Sequence, residues 1–117
     1  MASLIIFNNT RKILISAKVV EANTLVEKLV GLIGSKKPRA IVLRTRFGIH
    51  TFGLRFPIDC LILDREGRVV DMREQLLPGR IFFWSLRYST IVELPVGTIR
   101  KSKTKIGDEI QFERSTN

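Results

Sequence analysis

Residues 46–70 say more about the fold than any other part of the chain: R-F-G-I-H-T-F-G-L-R-F-P-I-D-C-L-I-L-D-R-E-G-R-V-V. Within it, residues 58–63 form an apolar run that is too continuous for a strand with one solvated face, and this predicts a central strand. Asp64 and Gly67 then occupy the first and fourth positions of a tight turn, where these residue types are favoured. We therefore expect a hairpin whose second strand covers residues 68–75.

Short strand signals, separated by turn residues, continue on both sides of this hairpin. The further candidate strands are residues 4–7, 13–19, 40–45, 81–84, 89–94 and 109–113, while residues 47–56 are expected to be irregular or bulged and residues 96–102 to contain a turn of helix. The odd-numbered positions from Ile13 to Val19, Ala17 among them, are apolar, whereas Ser16 and Lys18 are polar. This alternation predicts a strand with one buried and one solvated face.

One longer helix is expected in the N-terminal half of the chain. Thr24 and Glu27 match the capping box, in which each side chain satisfies a free backbone amide at the start of a helix. Apolar residues then fall on one helical face as far as Ile33. Gly34 and Pro38 follow, as is typical of the end of a helix.

The pattern of elements indicates the fold class. Many short strands, one long helix and no regular alternation of strands with helices favour an α+β fold that is mainly β. We expect a small antiparallel β-barrel or roll on which the helix packs. The length of 117 residues predicts a single domain over residues 1–117, with frayed ends at residues 1–3 and 114–117.

The composition argues against several classes of protein. With one histidine and one cysteine, the chain cannot build the usual zinc clusters, and we expect no metal site. Neither a phosphate-loop nor a dinucleotide glycine pattern occurs, so no cofactor is expected. Cys60 has no partner for an internal disulfide and is expected to be a buried, reduced side chain. No signal peptide or transmembrane segment is recognised, which favours a cytoplasmic location.

The chain is strongly basic, with a net charge of +9. Such a charge attracts polyanions. One interpretation is contact with nucleic acid or with an anionic cell-envelope polymer through arginine and lysine side chains. The other is a solvated surface that keeps the protein soluble, since the basic residues are scattered and form small clusters only at residues 36–37 and 101–105.

Asp59 has the strongest physical claim to a special role. It shares one strand face with Leu61 and Leu63, so its carboxylate points toward apolar side chains and needs hydrogen bonds there. One interpretation is structural, with Asp59 bonded to backbone amides or paired with Arg55. The other interpretation is that Asp59 anchors a pocket and orients His50 or Arg55.

A complete catalytic set is not evident. His50 titrates near neutrality, but no spacing typical of a Ser-His-Asp or Cys-His arrangement accompanies it. Acid–base chemistry of the glycosidase type needs two facing carboxylates, and Asp59 and Glu93 are the only pair in candidate core strands. We therefore assign no catalytic residues, although a small hydrolase or isomerase that uses Asp59 and His50 stays open.

Seven of the nine aromatic residues fall within residues 47–56 and 82–88, where arginines are interleaved. Aromatic rings and guanidinium groups stack on sugars or bases and pair with phosphate or carboxylate, although small β-barrels also use aromatic side chains in their cores. We predict that the two segments come together and leave a hollow for a ligand. The candidate ligand-binding residues are His50, Phe52, Arg55, Asp59, Trp84 and Arg87.

The run over residues 48–70 resembles the prokaryotic family known as domain of unknown function 192. Similar pieces follow the order of that family elsewhere in the chain: V-E-K-L-V-G-L-I, T-I-V-E-L-P-V-G-T and K-I-G-D-E-I. The resemblance covers roughly residues 19–112 and implies a compact, mostly β domain with one early helix, but no established activity. Where the family has a stretch like Met-Lys-Asn-Thr before Pro-Leu-Asp, this chain has G-L-R-F before P-I-D. A polar ligand site built on that Asn-Thr pair is therefore not implied here.

Three hypotheses for function follow from these observations. The leading one is a small, non-enzymatic ligand-binding or accessory module, with an anionic or sugar-like ligand between the two aromatic segments. The second is a basic interaction protein that contacts nucleic acid or an anionic cell-envelope polymer. The third is the hydrolase or isomerase described above.

Overall fold

A computed structural model describes residues 3–21, 39–44, 48–50, 55–79, 81–83 and 90–114. Its elements are β1 (Ser3–Asn8), β2 (Ile13–Glu21), β3 (Ala40–Arg44), β4 (Gly48–His50), β5 (Ile58–Leu63), β6 (Val69–Leu76), β7 (Ile81–Phe83), β8 (Thr90–Pro95), α1 (Thr98–Ser102) and β9 (Ile110–Arg114). The predicted strands are confirmed, with bounds that differ by about two residues at most. The strand β4 is an addition, because residues 47–56 were expected to be irregular or bulged. The helix predicted from Thr24 to Ile33 lies outside the described residues.

Seven of these strands form one curled sheet in the order β6-β5-β8-β3-β2-β1-β9, and β4 pairs with β7 in a separate two-stranded ribbon. The mostly β, α+β fold is therefore confirmed. Neighbouring strands of the large sheet are antiparallel except β2 and β3, which run parallel, with Val19 opposite Ala40. The chain between these two strands is long enough for the crossover that a parallel pair requires.

The two edges of the large sheet meet where the hairpin turn of β5 and β6 touches the start of β9. Arg68 and Glu109 form an isolated antiparallel bridge, and the Ile110 amide donates to the Gly67 carbonyl at 2.8 Å. Gly67 has a φ of 83°, and a Cβ atom there would lie 2.7 Å from the Ile110 carbonyl oxygen. Only glycine fits this contact without a backbone shift. The predicted turn therefore also closes the half-barrel.

The sheet buries apolar side chains on both faces. Its inner face gathers side chains from all seven strands and from α1: Leu4, Ile6, Val19, Ala40, Val42, Leu61, Leu63, Val69, Val92, Leu94, Ile99 and Ile110. Its outer face is buried over the neighbouring strands β5, β8 and β3, at Ile41, Ile58, Cys60, Ile62 and Ile91. β5 is buried at every position, as its continuous apolar sequence predicted.

The regular alternation predicted for β2 is wrong. Ala17 is exposed, whereas Val19 is fully buried. The register between β1 and β2 shifts on both sides of Ile6, and such an irregularity moves the following side chains to the other face of a sheet. The alternation of buried and exposed side chains therefore does not continue along the whole of β2.

Among the described residues, no helix combines the length and the apolar content that crossing a bilayer requires.

Cys60 is a free cysteine with no exposed surface, as the sequence predicted. Burial is the largest cause that raises the pKa of its thiol to about 12, and the nearby Glu93 carboxylate adds to the effect. Because the thiolate is the reactive form, we expect the folded protein to resist Ellman's reagent at pH 8 for hours. The guanidinium-unfolded chain should release one equivalent of thionitrobenzoate within minutes. Equal rates in the two states would contradict this burial.

A candidate anion-binding site

Asp59 joins the end of β6 to the start of α1. It is fully buried on the inner face of the sheet. Its Oδ1 atom accepts a hydrogen bond from the Gln75 amide at 3.0 Å. Its Oδ2 atom accepts from the Gly97 and Ile99 amides, both at 3.0 Å. These bonds correspond to the structural interpretation of Asp59 with backbone amides as partners; Arg55 is exposed and is not the partner.

The start of α1 depends on this carboxylate. Gly97 occupies the N-cap position with a φ of 92° and offers no side chain to the free amides of the first turn. A buried carboxylate is well suited to replace it, because it accepts hydrogen bonds from helix-start amides and is stabilised by their partial positive charge. Lys103 ends the helix in a left-handed conformation, with a φ of 56°. Both ends of α1 are therefore defined by tertiary or backbone contacts.

Asp108 makes a second polar junction, between the turn after β1 and the loop before β9. Its Oδ2 atom accepts hydrogen bonds from Asn8 Nδ2 at 3.0 Å, Arg11 Nε at 2.6 Å and the Lys105 amide at 2.9 Å. Desolvation by burial acts to raise the pKa of this carboxyl, but the hydrogen bonds from Arg11, Asn8 and Lys105 outweigh it and lower the pKa below 3.8. Asp108 is therefore an ionised anchor that fixes the direction of Arg11.

An open cleft of about 390 Å³ lies between β6 and the segment formed by α1 and its following loop. Four cationic side chains line it: Arg11, Arg100, Lys103 and Lys105. Glu74 is the acidic residue in the lining, and Met72 and Ile99 add apolar surface. We call this the basic cleft.

The two buried carboxylates hold the walls of the basic cleft. Asp59 binds the amide of Gln75, the residue after Glu74, and binds α1 through Gly97 and Ile99. Asp108 binds Arg11 through its side chain and Lys105 through its backbone. The positions of these walls are therefore set by buried, hydrogen-bonded groups, although the cations themselves are mostly exposed.

The two aromatic segments that were predicted to form a site contribute the strands β4 and β7 of the ribbon. Their backbones pair with Gly48 opposite Phe83 and His50 opposite Ile81, so the two segments come together as predicted. Arg55 is exposed, and Asp59 is engaged with backbone amides. Phe52, Trp84 and Arg87 lie outside the described residues. A ligand-binding role for this set stays a prediction.

Asp59 and Glu93 do not face each other. Asp59 lies opposite Leu94 on β8, whereas Glu93 lies opposite Cys60 on β5. Because successive side chains of a strand point to opposite faces, the two carboxyl groups lie on opposite sides of the sheet. They cannot form the facing pair that glycosidase-type chemistry requires. In the part of the chain that the structure describes, no group of three or more His, Cys, Asp or Glu side chains is arranged to hold a metal ion.

The sequence indicates only part of the basic cleft. The lysines within residues 101–105 form a small cluster, and the pattern of β5 predicts a buried Asp59. Nothing in the sequence points to Arg11 and Asp108. They lie 97 positions apart in the chain, and no local pattern indicates that β1 and β9 are neighbours.

The fold and the cleft together define a class: a small, β-rich half-barrel with a basic cleft beside its short helix. The chain belongs to the family called domain of unknown function 192, described as uncharacterized ACR, whose family model matches residues 6–112. The resemblance noted in the sequence is thereby confirmed.

Two relatives of this chain come from archaea of the genus Pyrococcus. A UPF0127 protein of Pyrococcus horikoshii is 32% identical over 113 residues, which is 92% of this chain and 97% of that protein. A UPF0127 protein of Pyrococcus abyssi is 28% identical over 114 residues, with the same coverage of 92% and 97%.

Two crystal structures share the fold. A protein of unknown function from Novosphingobium aromaticivorans matches with a TM-score of 0.78 and 14% identity, over 93% of this chain and 83% of that one. A protein from Sinorhizobium meliloti, described as a candidate transcription regulator, matches with a TM-score of 0.78 and 15% identity, over 95% of this chain and 92% of that one. At these identities the likeness concerns the fold alone.

Proposed function

We propose that this protein is a non-enzymatic binding module that holds a small anionic ligand in the basic cleft. The observation that carries the proposal is the arrangement of four cations, Arg11, Arg100, Lys103 and Lys105, around one cavity. Among the described residues, Glu74 is the single acidic side chain that lines it. Cations gathered in a concave site attract anions more strongly than the same cations scattered over a surface.

The buried carboxylates that hold the walls of the basic cleft favour a binding role over a catalytic one. The two Asp59 oxygens already accept three backbone amides, and Asp108 is ionised and bonded to Arg11. A general base needs a free oxygen within reach of the proton that it removes. Glu93 lies on the outer face of the sheet, away from the cleft. The chemistry that these groups offer is therefore electrostatic attraction and hydrogen bonding.

Removing two cleft cations tests the proposal. We expect Arg100→Gln combined with Lys103→Gln to weaken the binding of inorganic phosphate about tenfold, which corresponds to about 1.4 kcal/mol. Titration followed by NMR should show amide shifts concentrated around α1 and the loop after it in the wild type. Both side chains are exposed, so the fold should be unaffected.

The matched control is Lys18→Gln combined with Arg65→Gln, which removes two exposed cations outside the cleft. This control changes the net charge by the same amount and should leave phosphate affinity within about twofold of the wild type, because neither side chain lines the cleft and exposed charges are screened by salt. An equal loss in both double variants would reduce the effect to net charge and defeat the proposal.

The ribbon of β4 and β7 supports a second candidate, a sugar-like or anionic ligand bound by His50, Phe52, Arg55, Trp84 and Arg87. The observation in favour is the pairing of Gly48–His50 with Ile81–Phe83, after which Trp84 follows directly. Trp84 is the single tryptophan of the chain, so its fluorescence separates the two sites in the same titration. A ligand at the ribbon should alter this fluorescence, whereas a ligand confined to the basic cleft should shift the α1 amides alone.

A further inference from the structure

We infer that the ligand of the basic cleft is a dianionic organic phosphate, a phosphomonoester of a small apolar or aromatic alcohol. The inference rests on the proposed function and adds the charge and the shape of the ligand. It depends on three features of the cleft: its charge balance, the fixed direction of Arg11 and its apolar floor.

The charge balance favours a ligand with two negative charges. Arg11, Arg100, Lys103 and Lys105 contribute four positive charges to the cleft. Glu74 in the lining and Asp108 behind Arg11 contribute two negative charges. A phosphomonoester is a dianion above its second pKa of about 6 and would neutralise the remaining charge of about +2. A monoanion would leave part of it unpaired.

Arg11 is prepared to bind a phosphate group. Its Nε atom donates to Asp108 Oδ2 at 2.6 Å, and neither terminal nitrogen bonds to any residue that the structure describes. A guanidinium held in this way presents two parallel donors to two oxygens of one phosphate. Asp108 fixes the guanidinium before the ligand arrives, which lowers the entropy lost on binding.

The floor of the cleft favours an organic phosphate over an inorganic ion. Met72 and Ile99 belong to the lining. Ile99 is part of the inner core and is only 2% exposed, so the half-buried Met72 supplies most of this apolar surface. The cleft volume of about 390 Å³ falls within the range of about 300–1,000 Å³ that small-molecule sites occupy. A small apolar or aromatic group can therefore cover the exposed part of Met72 while its phosphate contacts the cations.

Four probes at pH 8 separate the features of this ligand in calorimetric titrations: phenyl phosphate, phenyl sulfate, inorganic phosphate and a single-stranded oligothymidylate. Phenyl sulfate has the shape of phenyl phosphate with one charge less, and inorganic phosphate lacks the ring. We expect phenyl phosphate to bind at least about tenfold more tightly than either, which is about 1.4 kcal/mol. Glu74→Gln should tighten phenyl phosphate binding about threefold, whereas Glu66→Gln, an exposed residue in the β5–β6 turn, should not change it.

The four probes and the double variant test different features of the inferred ligand. If phenyl sulfate binds as tightly as phenyl phosphate, the ligand need not be a dianion. If inorganic phosphate binds as tightly as phenyl phosphate, the ligand needs no organic group. In both cases the proposed function, an anion-binding module, still stands. The oligothymidylate could also bind more tightly than phenyl phosphate, with an affinity that falls steeply as the salt concentration rises. This result would indicate contact with a polyanion and would overturn both the organic-phosphate inference and the proposed function. Phenyl phosphate affinity that is unchanged in the Arg100 and Lys103 double variant overturns the proposed function itself.

Discussion

Replacement of Asp59 by asparagine is expected to lower the free energy of unfolding by about 4 kcal/mol. Asp59 is fully buried and accepts three backbone amides. Asparagine keeps one acceptor oxygen and turns an amide group toward the remaining donors. A buried donor without a partner costs about 1–3 kcal/mol, and more where a charged acceptor is lost.

Urea denaturation of Asp59→Asn and the wild type measures this loss, with Glu66→Gln as a control that removes one exposed carboxylate. The same variant, studied where it is still folded, should bind phosphate less tightly, because Asp59 holds both β6 and α1 at the edges of the basic cleft. A loss of stability below about 1 kcal/mol would show that the three hydrogen bonds contribute little. Unchanged phosphate binding would show that Asp59 is not needed to hold the basic cleft in its binding geometry.

Replacement of Glu93 by glutamine is expected to have the opposite effect at alkaline pH. Glu93 is 6% exposed on the outer face of the sheet, and no residue that the structure describes donates a hydrogen bond to its carboxyl group. Desolvation by burial raises its pKa from 4.5 to about 7. The folded protein therefore favours the neutral acid, and an ion at this position opposes folding.

The sign of the pH dependence follows from the two pKa values. Below pH 4.5 the carboxyl is protonated in both the folded and the unfolded chain, and it adds no pH dependence. As the pH rises toward 7 the unfolded chain loses this proton first, so the folded state becomes less stable. Above pH 7 the ionisation of Glu93 has lowered the free energy of unfolding by about 3 kcal/mol in total. Glutamine carries no charge, so Glu93→Gln should be more stable than the wild type by about 2 kcal/mol at pH 8.5, after allowance for burying its amide.

Chemical denaturation of wild type and Glu93→Gln at pH 5 and pH 8.5 measures this difference. The two proteins should be close in stability at pH 5, with the gap opening as the pH rises. Glu66→Gln, exposed in the turn, should follow the wild type at both values. A gap that stays constant with pH would mean that Glu93 does not titrate between the two measurements.

Asp59 and Glu93 are both buried carboxyl groups, but we expect Asp59 to stabilise the fold and an ionised Glu93 to destabilise it. They lie on neighbouring strands, but Asp59 points to the inner face and Glu93 to the outer face. The inner face brings the free amides of α1 and β6 to Asp59. On the outer face Glu93 lies beside Cys60 and Ile41 across the ladder. Burial alone therefore does not decide whether a carboxylate stabilises the fold; the donors beside it do.

Several local features could be predicted from the residues alone. The buried strand β5 follows from its unbroken apolar run, and the turn that begins at Asp64 follows from its aspartate and glycine. The Asp64 side chain accepts hydrogen bonds from the Glu66 and Arg68 amides, both at 2.9 Å. The inward direction of Asp59 follows from its period-two spacing to Leu61 and Leu63. Each of these depends on interactions among residues close in sequence.

Other features depend on contacts that no local pattern contains. The irregular register of β1 and β2 moved Ala17 to the exposed side, against the simple alternation. The pairing of β1 with β9 brings Arg11 beside Asp108. The same closure places the Ile110 carbonyl against Gly67, so a residue chosen for its turn also makes a tight contact with the last strand.

Side-chain periodicity and turn chemistry within a few residues are enough to predict the seven strands of the large sheet, β7, and the burial of β5, Asp59 and Cys60, and sequence motifs indicate the family. The strand β4 (Gly48–His50) lies in a stretch expected to be irregular and is not predicted in this way. Tertiary structure alone decided that Asp59 supports a helix, that Asp108 orients Arg11, and that four scattered cations share one cleft. The physical reason is that a hydrogen bond or a shared cavity depends on distances in space, and the curl of the sheet sets those distances between residues up to about a hundred positions apart.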